Sequence, residues 1–214
     1  SCYPALGLAC LAAVLEQAGY GVRIIDMHAE ELAMTDLINK INSPEFDNLK
    51  YIGLTATTPL INNALKIAAE LKKNKPDTKI ILGGVHPTIL PDEVLSYPQV
   101  DMVVRGEGEL TLQEILARKP LSEIKGISYR ECGKIIHNQE RPLIENLDSL
   151  PLPAYHLLPL KKYHPPIGGY KKLPAMSLVS SRGCPGRCTF CHVFFSSRVR
   201  FKSAEKIFVE MKYL

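Results

Sequence analysis

Short apolar runs alternate with stretches of helical periodicity through the first half of the chain. Leu6 to Gln17 (LGLACLAAVLEQ) is rich in Ala and Leu and is followed by Gly19 and Gly21, which predicts a helix closed by glycine. Val22 to Asp26 (VRIID) reads as a short strand and Leu32 to Ile41 as a helix. Tyr51 to Thr55 (YIGLT) predicts a strand with a Thr-rich exit. From Leu60 to Lys73, apolar side chains at Leu60, Ile61, Ala64, Leu65, Ala68 and Leu71 recur at helical spacing, the mark of a helix with one buried face. Lys79 to Leu82 (KIIL) is a further strand, running into Gly83-Gly84. Leu90 to Ser96 reads as a short helix, Met102 to Val104 as a strand ending in RGEGE, and Thr111 to Ala117 as a helix.

Alternation of this kind predicts an α/β fold: a Rossmann-like, flavodoxin-like sheet of five parallel strands with helices on both faces. One of the five would precede the opening helix. In such sheets ligands bind outside the carboxyl ends of the strands. The Thr-rich, Gly-Gly-Val-His and Arg-Gly-Glu-Gly segments all fall at such ends.

The pattern changes afterwards. Ile127 to Arg130 and Lys134 to His137 flank Cys132-Gly133, which predicts a hairpin. Leu147 to Leu160 is a Pro-rich connector that resists helix formation. Ala175 to Ser180 reads as a strand, and Ser203 to Leu214 as a helix capped by Ser203. The expected organisation is a sheet domain over 1–122, a hairpin and linker over 123–174, and the start of a second domain over 175–214. The chain opens without Met and stops inside a helical pattern, so it reads as a piece of a longer protein.

Composition adds little except by exclusion. The net charge is +4, with no basic stripe of the kind nucleic acid demands. No apolar run reaches transmembrane length. Cys2, Cys10 and Cys132 are scattered without a disulfide framework, which fits a reducing cytoplasm.

The chemistry concentrates in SSRGCPGRCTFC, where Cys184, Cys188 and Cys191 are spaced C-x3-C-x2-C. Three neighbouring thiolates suit a soft metal centre: an iron–sulfur cluster, zinc or Cu(I). An all-cysteine cluster takes four ligands, so three would leave one iron open. Zinc with His192 or His164 as fourth ligand is a second reading, though structural zinc sites more often use paired knuckles. CTFCH also matches c-type haem attachment, which leaves Cys184 unexplained. A disulfide with a spare thiol is a further alternative.

With Phe190 before its last cysteine, this motif resembles the cluster signature of the radical SAM enzymes. The resemblance implies a [4Fe–4S] cluster on Cys184, Cys188 and Cys191, with S-adenosylmethionine on the fourth iron and Phe190 near its adenine. Reductive cleavage would then yield methionine and a 5′-deoxyadenosyl radical. The preceding PALGLACLAAVLEQAGYGVRIID, GLTATT, LGGVHPT and VVRGEGE segments, in that order, resemble the cobalamin-binding domains that precede radical SAM barrels. That resemblance assigns cobalamin contacts to Thr55, Thr57, Gly83, Gly84, His86, Gly106 and Glu107. Small residues there let a corrin ring approach the backbone, and the hydroxyls can hydrogen-bond it.

One departure stands out. Many cobalamin domains carry Asp-x-His-x-x-Gly, with the His on cobalt. Here Asp26-Met27-His28 is followed by Glu31 where Gly is expected. The default for His28 is therefore a surface turn. For His86, fixing the loop by hydrogen bonding is favoured over ligating cobalt.

The resemblance implies a cobalamin-dependent radical SAM enzyme, a methyltransferase acting on a carbon radical of a small-molecule substrate. It would draw electrons from a donor such as flavodoxin or ferredoxin. Two alternatives stay open: an oxidative cyclase of the anaerobic Mg-protoporphyrin ester type, and a non-catalytic corrinoid carrier or sensor with a metal switch. Residues 1–214 alone are expected to be inactive.

Overall fold

The computed structural model describes residues 3–166, 168–170, 172, 175–186, 188–189, 191 and 198–214. They form two compact units, residues 1–31 with 143–214, and residues 32–142.

The first unit opens with α1 (Leu6–Gln17), whose Ala9, Ala12, Ala13, Val14 and Leu15 are buried. Its C-terminus is closed as the sequence predicts. Gly19 takes a left-handed φ of 85°, its N–H donates to Glu16 O, and the Tyr20 N–H donates to Leu15 O. This Schellman pattern satisfies carbonyls the helix would leave orphaned.

The second unit holds the sheet. It contains α2 (Met34–Ile41), β1 (Tyr51–Thr55), α3 (Ile61–Asn74), β2 (Lys79–Gly83), the short helices α4 (Val85–Ile89) and α5 (Pro91–Leu95), β3 (Met102–Val104), α6 (Glu109–Leu116), β4 (Ile127–Glu131) and β5 (Lys134–His137). The strands lie side by side in chain order. β1, β2 and β3 are parallel, with Thr55 opposite Gly83 and Leu82 opposite Val103. β3–β4 and β4–β5 are antiparallel.

The α/β class and a five-stranded sheet with flanking helices are as expected, but the sheet is mixed and only β1, β2 and β3 are among the five parallel strands expected. The expected hairpin supplies the last two strands. Its turn residues Cys132 and Gly133 both have positive φ (48° and 75°), the geometry that lets a two-residue turn follow the strand twist. Tyr129 and Ile127 then pair with Met102 and Val104 and join Ile81, Ile115 and Ile124 in one apolar core. Burying each large aliphatic side chain there contributes roughly 1.5–3 kcal/mol.

Two predicted strands are not formed among the described residues. Val22 to Asp26 carries no ladder. Its apolar residues Val22 and Ile24 pack instead against Ala12, Ala13 and Ala154, so tertiary packing explains the alternation. Ala175 to Ser180 is likewise without strand structure. The ladder begins one step later, at β6 (Ser181–Arg182), which pairs antiparallel with β7 (Arg200–Phe201). The chain of this unit ends in α7 (Ala204–Tyr213), where the Ser203 hydroxyl accepts from the Lys206 N–H as a cap.

Candidate functional site

Two places carry the residues singled out by sequence, one in each unit.

In the sheet unit, the carboxyl ends of β1, β2 and β3 bring the small residues together. The Ala56 N–H donates to Gly83 O at 3.1 Å, and the His86 N–H donates to Ala56 O at 3.2 Å. Gly84 has a φ of 97°, and a Cβ on it would stand 2.7 Å from Thr55 Oγ1 and 2.9 Å from Ala56 O. Only glycine permits the chain to turn here this close to its neighbour. Gly106, also with positive φ, donates its N–H to Thr88 Oγ1 at 3.0 Å. Thr55 and Thr57 are exposed, whereas Glu107 is buried, at 6% exposure.

His86 is buried as well, 3% exposed. Its Nδ1 lies 3.3 Å from Thr58 Oγ1, and its Nε2 faces Glu93 Oε1 at 3.6 Å. His28, by contrast, is exposed, and Glu31 adopts a φ of 55°. The backbone thus keeps a glycine-like conformation at the position where the cobalamin motif has glycine.

Sequence reasoning missed two features of this surface. Leu60, Ile89, Leu90 and Leu110 are exposed, and each follows the exit of a parallel strand. Leu60 fits the buried periodicity of α3 by spacing, but it lies in the turn before that helix. Arg105 is the other. Its guanidinium donates to the carbonyls of Ile127 and Asn138, tying the β3 exit to the hairpin, and burial lowers its pKa.

In the first unit, β6 and β7 close the base of the cysteine loop. The Lys202 N–H extends the ladder to Ser180 O at 2.8 Å. Cys184, Cys188 and Cys191 are all exposed, and the Cys191 N–H donates to Cys188 O at 3.0 Å. A Cβ placed on Gly186 would lie 3.4 Å from Cys184 Sγ and 3.7 Å from Cys188 Sγ. Both sulfurs thus lie within van der Waals reach of position 186. Among the described residues no three side chains of His, Cys, Asp or Glu converge closely enough to hold a metal ion. Phe190, Arg187 and His192 lie outside the described residues, so the expected adenine contact of Phe190 does too.

Behind the loop, Asp148 of the Pro-rich linker accepts the Ser203 N–H at 2.9 Å and 3.2 Å, next to the start of α7. Those hydrogen bonds hold its carboxyl below the ordinary aspartate value.

The sequence model for the B12 binding domain matches residues 1–116. The chain belongs to the B12-binding domain family. Relatives carry the likeness across the cysteine loop as well. An uncharacterized methyltransferase of Pyrococcus horikoshii is 37% identical over 218 residues, covering 99% of this chain and 46% of that protein. The anaerobic magnesium-protoporphyrin IX monomethyl ester cyclase of Synechocystis is 29% identical over 219 residues, covering 99% and 42%. The chain thus spans less than half of the curated relatives it matches. Among solved structures, the cobalamin-dependent S-adenosylmethionine radical enzyme OxsB with aqua-cobalamin and S-adenosylmethionine bound is similar with a TM-score of 0.75. Its identity is 26%, over 97% of this chain and 28% of that one. No helix among the described residues is long and apolar enough to cross a membrane.

Proposed function

We propose that this chain is the cobalamin-binding and cluster-binding part of a radical SAM enzyme, and that the whole enzyme is a methyltransferase acting on carbon. The observation that carries the reading is a conjunction. A B12-binding domain is followed by a C-x3-C-x2-C loop that is closed at its base and has glycine between two of its sulfurs.

The donor types present suit both cofactors. Thiolate sulfur is the natural donor for iron–sulfur clusters, and Cys184, Cys188 and Cys191 would hold a [4Fe–4S] cluster, with Gly186 beside two of the sulfurs. Phe190 would lie near the adenine of S-adenosylmethionine. Thr55, Thr57, Gly83, Gly84 and Gly106 would bound the corrin ring, with His86 and Glu107 behind them. The exposed Leu60, Ile89, Leu90 and Leu110 offer apolar surface to a large flat ligand. When bound, the two groups supply one-electron cleavage of S-adenosylmethionine and a carrier for its methyl group. The chain's own part is to hold both cofactors. In a reducing cytoplasm, flavodoxin or ferredoxin would provide the electron.

A second reading has support of its own: the likeness to the anaerobic cyclase covers 99% of this chain. The site described here serves either chemistry, because methyl transfer and ring closure would diverge at the substrate.

The test is an absorbance spectrum of the full-length protein, reconstituted anaerobically with iron and sulfide, incubated with hydroxocobalamin and desalted. A broad iron–thiolate band together with retained corrin bands is expected. Replacing Cys184, Cys188 and Cys191 by Ala should remove the first and spare the second. Corrin bands with no iron band in the wild type would leave a corrinoid carrier or sensor.

A further inference from the structure

The six residues Gly83 to Thr88 touch all three exits of the parallel strands. Toward β1, the His86 N–H donates to Ala56 O, and the buried ring places Nδ1 3.3 Å from Thr58 Oγ1. Toward β3, a single hydroxyl does two jobs. Thr88 Oγ1 donates to Gly84 O at 2.9 Å and accepts the Gly106 N–H at 3.0 Å. The ring of His86 also reaches α5, where Nε2 faces Glu93 at 3.6 Å. Of its two nitrogens, Nδ1 meets a protein group at hydrogen-bond distance, whereas Nε2 is enclosed with no hydrogen-bond partner among the described residues; the ring is 3% exposed.

A side chain that ligates or contacts a bound molecule must present an atom to it. Neither His86 nor the Thr88 hydroxyl does so here. The Thr88 hydroxyl spends both its donor and acceptor roles on neighbouring backbone, and the His86 ring holds Nδ1 on Thr58 while Nε2 is enclosed by protein. We infer that the Gly83–Thr88 segment is a staple fixing the β1, β2 and β3 exits in one relative geometry. In it His86, through its backbone N–H and Nδ1, and Thr88, through its hydroxyl, are positioning residues of the cobalamin site proposed above, on which reading the inference rests.

Loops held before the ligand arrives need not be ordered by it, so the staple contributes to affinity by preorganisation. Thr88→Val keeps the shape and removes both hydrogen bonds, whereas Thr88→Ser keeps the hydroxyl. Loss of one ordinary hydrogen bond corresponds to roughly a two- to tenfold change in an equilibrium constant.

The experiment uses the full-length protein and hydroxocobalamin, with equilibrium binding followed by absorbance and melting of the apo-protein followed in parallel. Thr88→Val is expected to weaken binding about tenfold while the melting temperature stays within a few degrees of wild type. Thr88→Ser should bind within about twofold of wild type. Equal binding by Thr88→Val and wild type overturns the staple, as does failure of Thr88→Ser to restore affinity. A large fall in apo-protein melting in Thr88→Val also overturns it, since the residue would then serve the fold as a whole. For His86, the paramagnetic resonance spectrum of bound cob(II)alamin should be the same in wild type and His86→Gln. A nitrogen splitting that disappears in His86→Gln would make the ring a cobalt ligand and overturn the assignment. If the wild type binds no corrinoid at all, it is the proposed site that fails, an outcome distinct from all of these.

Discussion

The Tyr155 hydroxyl donates to Glu210 Oε1 at 2.6 Å, and both residues have no solvent exposure. Lys202 Nζ reaches the other carboxylate oxygen at 2.5 Å, with its side chain 10% exposed. A buried carboxylate is costly unless its lone pairs are occupied, and here one residue of the Pro-rich linker and one beside β7 occupy them. Burial, then the hydrogen bond to Glu210, push the Tyr155 phenol far above its ordinary range, so it stays protonated and remains a donor. Tyr155→Phe is expected to destabilise the protein by about 1–3 kcal/mol, because one carboxylate oxygen loses its donor. Glu210→Ala should cost more, about 3–5 kcal/mol, since it strands the Lys202 ammonium in a buried setting. Urea denaturation checks both, and a Tyr155→Phe protein as stable as wild type would show that the hydroxyl is dispensable.

Gly183 sits at the entrance to the cysteine loop with a φ of 104°. A Cβ there would collide with the carbonyl oxygen of Arg198 and stand 3.1 Å from its carbon and 3.2 Å from Val199 Cα. These contacts are backbone on backbone, so no rotamer change relieves them. Gly183→Ala should therefore prevent β6 and β7 from closing the loop on its present path. The expected readout is a fall in iron per chain after anaerobic reconstitution, with hydroxocobalamin binding kept because the sheet unit is untouched. Full iron content in this variant would mean that loop closure is unimportant for cluster assembly.

What was legible in the sequence, and what was not, follows from the range of the interactions involved. Gly19 announced the end of α1, Ser203 the start of α7, and Cys132-Gly133 the hairpin turn, because each acts on backbone groups within a few residues. The destination of that hairpin was not legible. Tyr129 pairs with Met102 across a connection that carries α6, and nothing local to either residue encodes the partner. The same holds for Val22 and Ile24, whose alternation is that of a strand but whose neighbours are Ala12, Ala13 and Ala154. In the candidate site, the alternation of elements placed the Thr- and Gly-rich segments at strand ends, and the family resemblance proposed them as cobalamin contacts. The inward turn of His86 was not legible, because it depends on Thr58 and Glu93, which lie on other elements. β7 was invisible because a two-residue ladder is fixed by its partner Ser181–Arg182 rather than by its own propensity.

Asp101 gives the sheet unit a defined response to acid. Its carboxylate lies 2.8 Å from Lys72 Nζ at the end of α3 and 3.1 Å from Lys79 Nζ, and it accepts the Ile80 N–H at 2.8 Å. Partial burial alone would raise its pKa. The hydrogen bonds from Lys72, Ile80 and Lys79 outweigh that and hold it below the ordinary value of 3.8. A carboxyl whose pKa is lower in the folded state binds protons more readily when unfolded. Its stabilisation is therefore complete above the unfolded value and is lost as pH falls through the folded one. Asp101→Asn should cost about 1–2 kcal/mol at neutral pH, as hydrogen bonds to charged groups are replaced by weaker ones. The gap between wild type and variant should hold steady from about pH 7 to pH 5 and then narrow below about pH 4. Denaturation curves across that range test the sign directly: a gap that widens on acidification would mean that Asp101 is protonated more readily in the folded protein than in the unfolded chain.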